Sequence, residues 1–154
     1  MLLPLEDDPV SLRTMSGIDE GTLEKLRSSA LKVAGNAYAP YSKFCVGAAL
    51  LLDDGSVVTG CNVENISYGL TSCAERNALF RAISERGPGR RIRAFAVANR
   101  DGAPCSPCGA CRQVMSEFVT PDAVVCFSDR NGPQTRRFAE FFPFTFVFEP
   151  ETEA

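Results

Sequence analysis

The chain has 154 residues, 45% of them apolar and 23% charged, which suits one globular domain with a substantial core rather than two. A formal net charge of −3 offers no field to draw a polyanion, and no run approaches the ~20 apolar residues of a membrane span, so neither nucleic acid nor a membrane is an expected partner. Histidine is absent, which removes Ser-His-Asp and Cys-His catalysis and leaves Cys, Asp and Glu to hold any metal.

Residues 1–17 hold two prolines and scattered charge without periodicity, and read as a flexible N-terminal extension. They lack the basic start and long apolar run of a signal peptide, so the expected location is the cytoplasm. From Asp19 to about Tyr38, Leu23, Leu26, Ala30, Val33, Ala34 and Ala37 share one helical face, and Pro40 closes the helix. Val46 to Leu52 and Ser56 to Val63 are β-rich runs around Asp53-Asp54-Gly55, a hairpin signal. Ser72 to Glu85 reads as a second helix ended by Gly87-Pro88-Gly89, and Ile92 to Asn99 as a third strand. Pro107 fits the first turn of a third helix running to about Val119, followed by a strand from Ala123 to Ser128. Beyond it come a turn at Asn131-Gly132-Pro133, a short helical piece from Arg137 to Phe142 and a last strand at about Phe144 to Phe148. This order implies an α/β fold, a three-layer α/β/α sandwich with one mixed sheet covered by helices. The domain spans residues 18–150, and 151–154 form a tail.

Seven cysteines stand at 45, 61, 73, 105, 108, 111 and 126, an odd and uneven set unlike a secreted disulfide framework. Cys45, Cys61 and Cys126 fall in apolar, strand-like runs and are expected as small buried hydrophobes. The rest lie around Cys73-Ala74-Glu75-Arg76 and Pro107-Cys108-Gly109-Ala110-Cys111-Arg112, both at expected strand-to-helix junctions. Read together these are C-x-E … P-C-x-x-C, three thiolate ligands and a carboxylate that need not be one. A metal held by three protein groups keeps a fourth position for water, and a nearby Glu can move that water's protons. Cys108 and Cys111 are three apart at a helix start, so both sulfurs can face one point. Three thiolates on zinc leave a net charge of about −1. Two helix N-termini, and Arg76 and Arg112 donating to sulfur, would offset it. Other arrangements use the same residues. The C-x-x-C could be a redox pair, and Cys105, Cys108 and Cys111 with Cys73 could close a four-cysteine structural zinc site or part of an iron–sulfur site.

The motifs resemble those of the small homotetrameric cytidine deaminases, over about Leu23 to Pro150. Ala39-Pro40-Tyr41-Ser42-Lys43-Phe44, leading into Val46-Gly47-Ala48-Ala49-Leu50, is similar to that family's opening, and Asn62-Val63-Glu64-Asn65 to its ribose-binding N-x-E-N. The two cysteine clusters match its catalytic blocks. The resemblance implies one zinc per chain held by Cys73, Cys108 and Cys111, with Glu75 as the proton shuttle. It implies that Asn62 and Glu64 hold the ribose hydroxyls, that Phe44 packs on the pyrimidine, and that the backbones of Ala74 and Ser106 meet the base's polar edge. Tyr68, and Phe146 from the Phe-rich tail, would reach a neighbouring subunit's site in a homotetramer.

The activity so implied is hydrolytic deamination of cytidine and 2′-deoxycytidine to uridine and 2′-deoxyuridine, in pyrimidine salvage. Two readings compete with it. A blasticidin-S or other cytosine-nucleoside-antibiotic deaminase would share the catalytic blocks but alter N-x-E-N, which is intact here. A non-catalytic zinc-binding module would close the site with a fourth ligand.

Overall fold

The computed structural model describes residues 17–146. Residues 1–16 of the expected extension at 1–17, and the whole expected tail at 151–154, lie outside them. Helix α1, Glu20–Ala34, opens at Asp19, whose carboxylate accepts the Thr22 amide at 2.7 Å. Leu23, Leu26, Ala30 and Ala34 make its buried face. The helix stops four residues before the expected end because Gly35 and Asn36 break it. Tyr38 is then free to bridge to Val63 in an extended conformation.

Strands β1 (Val46–Leu52) and β2 (Val57–Cys61) form the expected hairpin, with Gly55 at φ 82° in its turn. A single 3-10 turn, Tyr68–Leu70, leads to helix α2, Ala74–Arg86, which ends at Gly87 with φ 79°. After β3 (Ile92–Asn99) come α3 (Gly109–Ser116), β4 (Val119–Asp129), β5 (Gly132–Arg137) and the short α4 (Phe138–Phe141). The five strands make one mixed sheet in the order β2-β1-β3-β4-β5, antiparallel except for the parallel pair β3–β4. Among the described residues no helix is long and apolar enough to cross a membrane.

Alternation along the strands divides the core into two layers. Ala49, Leu51, Ala94, Ala96, Val124 and Cys126 face α1. Ala48, Leu50, Leu52, Phe95, Val97 and Val125 face α2, α3 and α4 through Ala78, Leu79, Met115 and Phe138. The three-layer expectation therefore holds. Small residues on both sides let the helices press close to the sheet.

Three further sequence expectations need correction. The third helix is shorter than Pro107 to Val119, because Val119 already belongs to β4 and pairs with Ile92. The turn at Asn131-Gly132-Pro133 is followed by a full strand, β5, paired from Gly132 to Arg137 along β4. Its sequence Gly-Pro-Gln-Thr-Arg-Arg carries no apolar alternation, and as an edge strand it tolerates Pro133. The last expected strand is not formed over residues 144–146, while 147–148 lie outside the described residues.

Gly60 lets β2 lie close against the backbone of α2. A Cβ there would lie 2.8 Å from the Ala74 carbonyl oxygen and collide with the Ala78 amide, both of them backbone atoms. We expect Gly60→Ala to destabilise the fold by about 1–3 kcal/mol, as overpacking does, read as a lower denaturant midpoint. Gly89→Ala, where nothing lies within 4 Å, is the control and should change little. Equal midpoints for the two variants would contradict this packing.

Candidate active site

The helix starts of α2 and α3 meet at one point. Cys73 is the N-cap of α2, and its extended backbone (φ −73°, ψ 154°) directs the side chain past the helix end. Cys108 is the N-cap of α3, with its sulfur accepting the Cys111 amide at 3.4 Å. The Sγ atoms of Cys73 and Cys108 are 3.9 Å apart, and those of Cys73, Cys108 and Cys111 all lie within 4.8 Å of one another. Tetrahedral zinc with Zn–S near 2.3 Å separates its sulfurs by about 3.8 Å, so this donor set fits zinc. Among the described residues the metal-binding group stops at these three. Cys105, the fourth ligand required by a closed site, lies outside it, and burial pushes its thiol up to about 12.

Electrostatics at the cluster favour a thiolate at Cys73. Both helix N-termini present partial positive charge to the sulfurs. Hydrogen bonds from the Cys111 thiol and the Arg76 guanidinium bring the Cys73 thiol down to about 5, and the Cys111 thiol, its partner, is displaced upwards. Arg76 Nη2 reaches Cys73 Sγ at 3.4 Å, as the sequence leads one to expect. Arg112 does not act in the same way. Its Nε donates to the Pro107 carbonyl at 2.8 Å, its Nη1 to the Phe141 carbonyl at 3.2 Å, and its guanidinium lies 4.0 Å from the centre of the Phe141 ring. The expected contact to sulfur is replaced by a clamp joining the cysteine loop to α4.

Glu75, in the first turn of α2, is 4% exposed, and burial pushes its carboxyl up to about 7, with the Cys73 thiolate adding to the shift. Ala74 between them is fully buried, and Ser106 is exposed in the loop before Pro107.

The segment carrying Phe44 is held by two residues expected to read the sugar. Asn62 is buried; its Nδ2 donates to the Phe44 carbonyl at 2.9 Å and its Oδ1 accepts the Val46 amide at 2.8 Å. Glu64 accepts the amides of Tyr41 and Ser42 at 3.0 and 3.2 Å, as well as the Ser42 hydroxyl. The Ser42 oxygen in turn accepts the Phe44 amide at 3.0 Å. Phe44 itself is 39% exposed, next to Lys43 at φ 61°. This bracing was not legible in the sequence, because an N-x-E spacing says which side chains share a face and not which carbonyl they meet. Tyr68 is 72% exposed, with its ring edge-on to Tyr41 at 6.0 Å, and Phe146 is 75% exposed at the last described position.

Residues 21–127 match the family model described as the cytidine and deoxycytidylate deaminase zinc-binding region. The chain belongs to this family. It is 48% identical to a cytidine deaminase of Halalkalibacterium halodurans over 128 residues, 82% of this chain and 95% of that protein. A Mycobacterium tuberculosis cytidine deaminase is 46% identical over 121 residues, 79% of this chain and 86% of the relative. Crystal structures agree. A cytidine deaminase from M. tuberculosis superposes with a TM-score of 0.71 at 43% identity, over 82% of this chain and 98% of that one. One from Burkholderia pseudomallei gives 0.70 at 43% identity, over 80% and 98%.

Asn62→Ala would leave the Val46 amide and the Phe44 carbonyl without their side-chain partner, at a cost of about 1–3 kcal/mol per buried group. We expect faster hydrogen exchange at the Val46 amide in this variant, and exchange at the wild-type rate would refute the clamp.

Proposed function

We propose that this deaminase-family chain hydrolyses cytidine and 2′-deoxycytidine to uridine and 2′-deoxyuridine, releasing ammonia. One observation carries the reading: three cysteine sulfurs converge at two helix N-termini with a buried carboxyl, Glu75, in the first turn beside them. Cys73, Cys108 and Cys111 would hold one zinc per chain. Bound there, zinc supplies Lewis-acid chemistry, making water acidic enough to give a nucleophile at neutral pH and stabilising negative charge.

The protein's own groups do the rest. Glu75 accepts a proton from the attacking water and returns protons to N3 and to the amine departing from C4. Its burial excludes bulk water, so the protons pass between carboxyl and substrate. Arg76 holds the Cys73 sulfur and offsets its charge. Phe44 packs on the pyrimidine, and the Ala74 and Ser106 backbones meet its polar edge. Asn62 and Glu64 hold the ribose hydroxyls with the donor and acceptor capacity left after bracing the Phe44 segment. A carboxylate there suits a neutral sugar and would repel a 5′-phosphate.

The assembly we infer is a homotetramer with sites at subunit interfaces. Tyr38, Tyr41, Val63, Ile66, Tyr68 and Leu70 are all exposed, from 41% to 79%. Tyr38 is bridged to Val63, and the Tyr41 ring packs edge-on to Tyr68. Such a surface favours a subunit contact, across which Tyr68 and Phe146 would reach a neighbour's site. All seven cysteines are free thiols, which suits a reducing cytoplasm and a role in pyrimidine salvage.

Glu75→Gln should keep zinc and fold while kcat falls by roughly 10²–10⁴ or more, the usual contribution of a positioned acid–base group. Near-wild-type turnover in that variant would end the assignment. Cys108→Ala should lose its zinc on metal analysis, and full retention would mean that the ligand set is wrong.

A further inference from the structure

Asn77 has no part in the chemistry above, yet it lies where the two halves of the site join. Its side-chain amide makes three contacts. Nδ2 donates to the Cys61 carbonyl at 2.8 Å and to the Ser72 carbonyl at 3.4 Å, and Oδ1 accepts the Ser72 hydroxyl at 2.7 Å. The orientation of the amide is fixed by these partners, since the flipped form would set an oxygen against two carbonyl oxygens. Cys61 immediately precedes Asn62, and Ser72 immediately precedes Cys73. One side chain therefore binds the backbone next to the first sugar-side residue and next to the first proposed zinc ligand.

The surrounding backbone extends the link. Ser72 and Val63 exchange amide–carbonyl bonds at 2.9 Å in both directions, which places the residue before Cys73 against the residue between Asn62 and Glu64. Among the described residues this is the one backbone-to-backbone link between the two segments, with the Asn65 amide donating to the Thr71 hydroxyl at 3.4 Å beside it. Asn77 adds a further tie from the first turns of α2, the helix that also carries Glu75. Asn is a poor helix former, and Asn77 occupies a helical position where Ala would be preferred on propensity alone.

We propose that Asn77 is a positioning residue that sets the distance between the sugar-binding side of the site and the zinc side. This rests on the nucleoside reading above. Loss of the amide frees β2's end from the start of α2, so a nucleoside gripped by its ribose is no longer delivered to Glu75 at the right depth. A substrate without the 2′- and 3′-hydroxyls is gripped less there and has less to lose. A residue that merely stabilised the fold would instead lower turnover of both substrates by one common factor.

The test compares kcat/KM for cytidine and 2′,3′-dideoxycytidine in zinc-loaded wild type, Asn77→Ala and Ser72→Ala, with the rate at which a colorimetric chelator strips zinc from each resting protein. Wild type should prefer cytidine. In Asn77→Ala we expect that preference to narrow about tenfold, the scale of one or two lost hydrogen bonds, and zinc release to quicken about fivefold. Ser72→Ala removes one contact and leaves the Asn77 bond to Cys61, so it should change both quantities in the same direction by less. It also provides the readout should Asn77→Ala fail to fold. A wild type that does not discriminate would overturn the ribose reading itself. Strong wild-type discrimination that survives unchanged in the variants would overturn the role of Asn77 and leave that reading intact.

Discussion

Everything at the site depends on two helix N-termini being brought to one point. Cys73 and Cys108 are both N-caps, so each thiolate is placed by where its helix begins rather than by the reach of a long side chain. That precision needs α2 to lie hard against β2. The missing side chain of Gly60 allows it, with Ala74, Ala78 and Ala82 on the facing helix. Close packing and catalytic geometry are one constraint here. A methyl group at position 60 would act on the cysteine cluster through the helix it displaces.

The second constraint is a network of side chains fastened to backbone. Asn62 and Glu64 brace the Phe44 segment, Asn77 joins the end of β2 to Ser72, and Arg112 ties the cysteine loop to Phe141. Each satisfies carbonyl or amide groups that loops would otherwise leave unpaired. These ties fasten segments that carry little regular structure. Exposed aromatic and aliphatic side chains offer the surface on which the proposed subunits would meet.

Much of this was legible in the sequence, for physical reasons. A β-rich apolar run before a glycine-marked turn marked β1, partial alternation marked β3, both at their observed limits, and the cysteine spacing marked the cluster, because residues three apart at a helix start face together. What stayed hidden was decided by tertiary contact. The strand β5 is polar and formed by pairing along β4. Arg112 reads as a neighbour of sulfur until the position of Phe141 is known. Asn77 looks like an ordinary helical Asn, since the carbonyls it binds are 16 and 5 residues away. The N-x-E-N motif led to the expectation that Asn62 and Glu64 face a ligand and concealed that both hold the Phe44 segment.

The most direct test of the account is ultraviolet-monitored turnover of cytidine, 2′-deoxycytidine, CMP and blasticidin S by protein of measured zinc content, taken side by side. The account predicts about one zinc per chain, as three ligands and an open position require, with rapid turnover of both nucleosides and little of CMP. Full zinc occupancy without turnover of either nucleoside would contradict it.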